Sequence, residues 1–394
     1  MNIDAGAAAL PWGSEKSQRN PNRSSSSNMA HLTQIRQSFL DLIKRLDKNP
    51  VGAPFAESLV EILEILYTEE EAKIGANFPL HATPAETLAK KMGRDPGELK
   101  HILDEMANKG LVVDTVKNGK TYWRLTPLMI GLFEFTFMRT GRGLPMKRLA
   151  ELMHRYRMED GLGRDFFGSE TPMSRTLVFE DLIKPVKSEV LPYEKASEII
   201  RNAKIGSLQM CYCRHEAQHR GTACDAPIED VCTALGPAAD YLIRRGFARK
   251  ASVDEMLEVL DRTEKMGLVH IADNVREGVA FICHCCACCC GLLAGIRTLH
   301  IPHAVAPSGF IPQIDLEACV GCGMCETRCP VHAMTLNEET GYPACDADRC
   351  LGCGVCATGC PAEAIAMVRR ENWTPPPKNA AEKFLRIAKE KGKI

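Results

Sequence analysis

The feature that most restricts how this chain can fold is a cysteine pattern that occurs twice near its C-terminus. Each copy reads C-x-x-C-x-x-C-x-x-x-C-P, and equivalent residues of the two copies are 31 positions apart in the 394-residue sequence. The offset extends beyond the cysteines, since it also pairs Gly321 with Gly352 and Ala333 with Ala364. An internal repeat of this kind predicts two duplicated structural units.

The spacing within each copy suits a metal cluster. Three thiolates two residues apart can wrap a tight loop around one face of an iron–sulfur cube, while glycines let backbone amides approach its sulfides. Residues 311–369 resemble the bacterial-type two-cluster ferredoxin family, with all eight ligand positions intact. In that family the fourth cysteine of each copy serves the other cluster. The resemblance therefore implies two 4Fe–4S clusters, one held by Cys319, Cys322, Cys325 and Cys360, and the other by Cys350, Cys353, Cys356 and Cys329.

A zinc ribbon is the alternative for this segment, but such a site has two C-x-x-C pairs rather than two four-cysteine runs that each end in proline. Cys345 stands outside the pattern. The repeat pairs it with Ile314, an apolar strand position, so we expect a small buried side chain and leave Cys345 out of the ligands.

Ten further cysteines lie upstream, because the chain has 19 cysteines and the repeat and Cys345 account for nine. They form two groups in the sequence, which are Cys211, Cys213, Cys224 and Cys232, and then Cys283, Cys285, Cys286, Cys288, Cys289 and Cys290. Without an export signal, such thiols indicate metal binding rather than disulfides. Beside a ferredoxin repeat they favour one or two additional iron–sulfur clusters, with zinc the less favoured alternative. Their ligand sets stay open.

The first of these groups surrounds a short motif, His215-Glu-Ala-Gln-His219, that matches the H-E-x-x-H pattern of zinc peptidases. The motif is short, and no third ligand follows at the spacing of a metalloprotease. We therefore expect no peptidase site here. Instead, Arg214 and His215 are expected to donate hydrogen bonds to cluster sulfur or to offset its negative charge.

The N-terminal part, residues 31–140, contains no cysteine and predicts a winged-helix-like domain. Capping signals at Thr83-Pro-Ala-Glu86 and Asp95-Pro-Gly-Glu98 predict the second and third of its helices, and Gly110 ends the third. Asn118-Gly119 then predicts a two-residue hairpin. Acidic residues outweigh basic ones on the third helix, so we favour a protein-docking or dimerising role over DNA binding.

The complete prediction is an α+β, multidomain chain. Its parts are a disordered segment at 1–30, a winged-helix-like domain at 31–140, a mainly helical Cys-rich iron–sulfur domain at 141–310, a dicluster ferredoxin domain at 311–370 and a tail helix at 371–394. The lysine-rich tail is expected to be solvated. Within the central domain, Ser252-Val-Asp-Glu255 predicts a capped helix through about Lys265. Whether Met29 is the natural start stays open.

Composition excludes several function classes. The formal net charge is −1 and charged residues make up 25% of the chain, so there is no charge excess typical of nucleic-acid-binding proteins. Residues 279–296 carry no Lys, Arg, Asp or Glu, but six of them are cysteines, so we expect no membrane span. The absence of a signal peptide predicts a cytoplasmic protein, and exposed clusters predict an anaerobic host.

These observations predict an electron-transfer component, since no G-x-G-x-x-G motif opens a strand–helix unit and no substrate machinery is evident. The chain would pass single electrons to or from a partner oxidoreductase. Two alternatives are a redox-sensing winged-helix transcription regulator and an oxidoreductase with its active site at the central cysteines. Whether the chain is itself an enzyme, its electron donor and acceptor, and its oligomeric state stay open.

Overall fold

Helices and strands alternate along most of the chain. The computed structural model describes residues 26–183, 191–302 and 304–394, with side chains from residue 36 onward. The described helices are α1 Ser26–Asp47, α2 Glu57–Leu66, α3 Glu69–Asn77, α4 Ala85–Met92, α5 Pro96–Lys109, α6 Phe133–Phe137, α7 Met146–Met158, α8 Leu162–Phe167, α9 Ala196–Arg201, α10 Tyr212–His219, α11 Gly236–Arg244, α12 Val253–Lys265, α13 Gly291–Arg297, α14 Met324–Arg328, α15 Val355–Thr358 and α16 Ala380–Glu390. None of them is long and apolar enough to cross a membrane.

The described strands are β1 Val112–Lys117, β2 Lys120–Leu125, β3 Ser174–Leu177, β4 Gly206–Gln209, β5 Cys232–Leu235, β6 Arg249–Ala251, β7 Val269–Asp273, β8 Phe281–Cys285, β9 Phe310–Ile314, β10 Met334–Leu336, β11 Pro343–Cys345 and β12 Ile365–Arg369. This mixture confirms the α+β class. Residues Met1–Gln37 and Ser38–Ile394 are two structural units. The first 25 residues of the segment predicted to be disordered lie outside the described residues, and Ser26 already begins a helix.

Local capping signals set several of these boundaries. The Asp95 side chain accepts a hydrogen bond of 2.9 Å from the Glu98 amide at the start of α5, and Gly110 ends that helix with φ +85°. Ser252 and Glu255 form the predicted capping box of α12. The prediction for Thr83 was wrong, because α4 begins at Ala85 without a side-chain cap. The Thr83 backbone instead pairs with Trp123.

The central region is built on a six-stranded antiparallel sheet with the order β3-β7-β8-β5-β4-β6. The prediction of a mainly helical central domain missed this sheet. Its strands are three to five residues long, and β3, β4, β5 and β7 are buried along their whole length. Because every position of these short strands is buried, polar and apolar residues do not sort onto an exposed and a buried face, and the period-two pattern that identifies a half-buried strand is missing.

The C-terminal repeat folds with approximate two-fold symmetry. Strand β9 pairs with β12 and β10 pairs with β11, so each small sheet joins one strand from each copy. Met334 pairs with Cys345, and the equivalent Ile365 pairs with Ile314. The predicted equivalence of Cys345 and Ile314 is therefore confirmed.

The C-terminal tail is part of the folded unit, contrary to the prediction that it is solvated. Lys383 of α16 is 2% exposed and forms an ion pair with buried Asp273 of β7. At the end of the same helix, the Glu390 carboxylate accepts a hydrogen bond of 2.9 Å from the Thr171 amide. The lysine-rich sequence of the tail did not predict these contacts, because the residues that bind Lys383 and Glu390 lie more than a hundred positions away in the sequence.

A buried ion pair fastens the N-terminal hairpin to α11. The Asp114 side chain on β1 is 2% exposed and accepts from Arg244 (2.5 Å) and Arg245 (2.8 Å). We expect Asp114→Ala to lower the free energy of unfolding by roughly 3 kcal/mol, because it leaves two guanidinium groups without their carboxylate. Asp240→Ala removes an exposed partner of the same Arg244 and is expected to cost less than about 1 kcal/mol. Urea unfolding followed by circular dichroism measures both, and equal losses would contradict the prediction.

Candidate metal centres

The eight cysteines of the repeat line two cavities. Pro312, Leu351 and Met367 are among the residues around the first cavity, which has a volume of about 320 Å³ including space open to solvent. Its cysteines, here called the inner set, are Cys329, Cys350, Cys353 and Cys356. All four are at most 9% exposed. Three of them come from the second copy of the pattern and one from the first.

The second cavity, of about 340 Å³, is lined by the outer set, which is Cys319, Cys322, Cys325 and Cys360. Cys322 is exposed, and Val320 beside it is 69% exposed. The fourth cysteine again comes from the other copy. The structure thus brings the eight thiols together in the two sets that the ferredoxin resemblance implies.

Backbone amides approach the sulfur atoms of both sets. The Ala333 amide donates to Cys329 Sγ (3.1 Å), and its repeat equivalent Ala364 donates to Cys360 Sγ (3.3 Å). Such bonds stabilise the charged thiolate that a metal ligand must be. A side chain at Gly352 would meet the Phe310 carbonyl oxygen 2.1 Å from its Cβ, and Gly352 has φ +65°, so this loop requires glycine. These donors fit two 4Fe–4S clusters.

Cys345 lies beside the inner set but does not line its cavity. It is half-buried, and its hydrogen bond to Cys350 lowers the pKa of Cys350 to about 7, with further contributions from the Gly352 amide and Arg370. Cys345 was predicted to be a small buried side chain and not a ligand, whereas its side chain is only half-buried. The Cys345 thiol thus contacts the sulfur of Cys350, a predicted cluster ligand.

Six of the ten central cysteines form a closed ring of neighbouring thiols. Each thiol interacts with two others in the order Cys211, Cys213, Cys290, Cys285, Cys283, Cys232 and back to Cys211. We call this the six-thiol ring. Hydrogen bonds with Cys232 and Cys285 lower the pKa of Cys283 to about 6, which favours its thiolate form. Strand pairing assembles the ring, because β5 and β8 are neighbours and begin or end in its cysteines.

The other four central cysteines form a second, separate cluster of thiols. These are Cys224, Cys286, Cys288 and Cys289, whose Sγ atoms all lie within 4.8 Å of one another. We call them the four-thiol group. The two groups seen in the sequence are therefore divided differently in space, since Cys224 leaves the first group and joins three members of the second.

Two buried arginines flank the central thiols. Arg214 is 0% exposed, donates to the Pro227 and His284 carbonyls and hydrogen-bonds with Cys286. Burial raises the pKa of Cys286, but this contact and the charge of Arg214 outweigh burial and lower it. Arg157 is 8% exposed and forms an ion pair with Glu216. Within the described part of the chain its Nε and Nη1 have no hydrogen-bond acceptor.

The positions of Arg214 and His215 test the expectation that both donate to cluster sulfur. Arg214 does contact a cysteine. His215 does not, because its Nδ1 lies 2.7 Å from the Phe137 carbonyl and its Nε2 lies 3.1 Å from His219 Nε2. Glu216, the would-be catalytic base of the peptidase motif, is buried in its ion pair with Arg157.

Comparison with known proteins supports the assignment of the C-terminal segment. Residues 297–364 match the family model of the 4Fe–4S dicluster domain. The match begins upstream of residue 311, where the sequence predicted the domain to start, and it contains all eight ferredoxin cysteines. No curated protein and no solved structure matches the chain. A 4Fe–4S dicluster domain and the cysteine-rich region beside it indicate iron–sulfur electron transfer.

Proposed function

We propose that this chain is an electron-transfer protein with two 4Fe–4S clusters in its dicluster domain and a further iron–sulfur centre in the six-thiol ring. It would pass single electrons to or from a partner oxidoreductase. The observation that carries the proposal is the packing that connects the inner set with the six-thiol ring. A 4Fe–4S cluster supplies one-electron chemistry when bound, and the chain supplies thiolates, charge and spacing.

A series of contacts through aromatic side chains connects the inner set with the six-thiol ring. The Phe179 amide donates to the Cys353 carbonyl (3.2 Å), and the Phe179 ring lies 4.9 Å from the His270 ring. His270 in turn lies 4.7 Å from His284, its directly paired neighbour on β8. In the sequence, His284 lies between Cys283 and Cys285, which both belong to the six-thiol ring. Burial lowers the pKa of His270 to about 3, so this connection is uncharged at neutral pH.

The outer set offers the site of exchange with a partner. Four large apolar side chains near it are exposed, which are Leu316 (50%), Val320 (69%), Met324 (43%) and Tyr342 (41%). Val320 and Met324 also line the outer cavity. Exposed apolar residues rimmed by polar ones are typical of transient protein interfaces. We therefore place the partner oxidoreductase over the outer set.

Arg157 and Arg214 contribute buried positive charge near the central thiols. Thiolates in a buried site require compensation by cations or hydrogen-bond donors. Arg214 lies close enough to Cys211 and Cys232 for its charge to lower the pKa of both thiols. A hydrogen bond with Cys232 in the case of Cys211, and with Cys283 in the case of Cys232, together with burial nevertheless raises each pKa overall. The unpaired N–H groups of Arg157 provide further donors on the side of Cys213.

Neither alternative function gains support from the contacts. A DNA-reading helix has to be free, whereas α5 is engaged at Asp104 and Asn108 by Arg245. An enzyme site at the central cysteines requires an accessible metal position. Four of the six ring cysteines are instead less than 8% exposed, namely Cys211, Cys232, Cys285 and Cys290.

Iron and acid-labile sulfide per chain test the proposal on protein purified without oxygen. The full chain is expected to contain more than the roughly eight iron atoms of two 4Fe–4S clusters. Cys285→Ala should reduce the count to about eight and leave the reduced-state EPR signals of the dicluster domain unchanged. Asp240→Ala, at an exposed residue that belongs to none of the thiol sets, is the control and should lose no iron. A wild-type count of about eight would overturn the central iron–sulfur centre.

A further inference from the structure

The four-thiol group has a geometry different from that of every other cysteine set in the chain. Cys289 Sγ lies 3.8 Å from Cys224 Sγ and 3.7 Å from Cys288 Sγ. Cys286 completes a group in which all four sulfur atoms lie within 4.8 Å of one another. We propose that this group binds a single tetrahedral metal ion of the Zn²⁺ class, and not an iron–sulfur cluster.

Bond lengths decide between one ion and a cluster. Four thiolates bonded to one Zn²⁺ at about 2.3 Å in a tetrahedron stand about 3.8 Å from one another. The sulfur–sulfur distances of 3.8 Å and 3.7 Å in the four-thiol group agree with this edge. Thiolates bonded to four separate irons point outward from the corners of a cube and stand farther apart. The four-thiol group is therefore too compact for a 4Fe–4S cluster.

The dicluster domain serves as an internal reference for cluster spacing. Its inner and outer sets each surround a cavity. Among the residues described in the structure, neither set has its four sulfur atoms within 4.8 Å of one another, as the four-thiol group has. The inner and outer sets thus have a spacing suited to a cluster, whereas the four-thiol group has a spacing suited to one ion.

The type of ion follows from the ligands. Thiolates are soft ligands, and four of them in a tetrahedron form the closed coordination of a structural zinc site. Four thiolates around one divalent ion leave a net charge of −2, which the hydrogen bond between Arg214 and Cys286 partly offsets. Arg297 donates to the Ala287 carbonyl (2.8 Å) and holds the loop that carries three of the ligands.

The location indicates what the ion would do. Cys224 lies in the loop between α10 and β5, and the other three ligands lie between β8 and α13. These same loops lead directly to Cys232, Cys285 and Cys290 of the six-thiol ring. By joining the two loops, a bound ion would hold the ring cysteines in place. The inference does not depend on the proposed function, because it concerns zinc and a separate set of thiols.

Metal analysis of the full chain tests this inference. Zinc, iron and sulfide are measured by mass spectrometry and colorimetry on protein purified without oxygen. Wild type is expected to contain about one zinc atom per chain, and Cys288→Ser, which changes the exposed ligand, should contain at least about tenfold less. Cys322→Ser, at the exposed position of the outer set, is the matched control and should lose iron but retain zinc.

Substitution by Co²⁺ provides a second readout that needs no variant. Growth in cobalt-containing, zinc-depleted medium should give the sulfur-to-cobalt absorption and the visible bands of one tetrahedral tetrathiolate ion, and Cys224→Ser should abolish them. Absence of zinc from wild type, iron in its place, or loss of about four iron atoms from Cys288→Ser would overturn the inference. An iron content of about eight with zinc present would overturn the proposed function and support this inference.

Discussion

Replacing Cys360 by alanine is expected to remove the cluster that the first copy of the pattern binds. Cys360 belongs to the second copy in the sequence, but it lines the outer cavity together with Cys319, Cys322 and Cys325. Loss of its thiolate should therefore disrupt the outer site and lower the iron content by up to about four atoms per chain. The inner site should keep its iron, because its fourth thiolate comes from Cys329. Iron analysis and reduced-state EPR measure both.

Double variants separate this arrangement from one in which each copy binds its own cluster. Cys322→Ala combined with Cys360→Ala changes two residues of the outer set and should lose no more than about four iron atoms. Cys353→Ala combined with Cys360→Ala changes one residue in each set and should lose about eight. If the first double variant lost about eight iron atoms and the second only about four, each copy would bind its own cluster, and the exchange of the fourth ligands between copies would be contradicted. Asp240→Ala, at an exposed residue outside both sets, is the control and should lose no iron.

The dicluster domain was largely predictable because its determinants are local. The spacing of Cys319, Cys322 and Cys325 shapes one loop, and the repeat supplies the same loop again. The resemblance to ferredoxins implied that the fourth cysteine of each copy lies with the cysteines of the other copy. The positions of Cys329 and Cys360 agree with this prediction. The hairpin at Asn118-Gly119 was predictable for the same reason, since both turn residues have the positive φ that this turn requires.

The central region was less predictable because its determinants are distant in sequence. The six-thiol ring exists because β5 pairs with β8, which brings Cys232 beside Cys283 across about fifty intervening residues. Strands of four or five residues are too short for their sequence periodicity to predict that pairing. His215 shows the same limit, because the carbonyl that accepts from its ring belongs to Phe137.

A second large effect is expected at Arg214, through the reduction potential of the central iron–sulfur centre. Arg214 is fully buried and lies within electrostatic range of Cys211 and Cys232, two members of the six-thiol ring. Reduction adds negative charge, and a nearby cation stabilises the reduced state. Arg214→Met should therefore lower the potential, on the order of 100 mV for one unit charge at an effective dielectric constant of about 20.

The matched variant is Arg214→Lys, which keeps the charge but cannot reproduce the two carbonyl contacts of the guanidinium group. It should shift the potential by less than half as much as Arg214→Met. EPR-monitored titration of the full chain measures the central signal and the signals of the dicluster domain in one sample, so the latter serve as a reference that should not move. Equal shifts in both variants would show that Arg214 acts by packing alone. A higher potential in Arg214→Met would contradict the charge argument directly, because loss of a cation can only destabilise the more negative state.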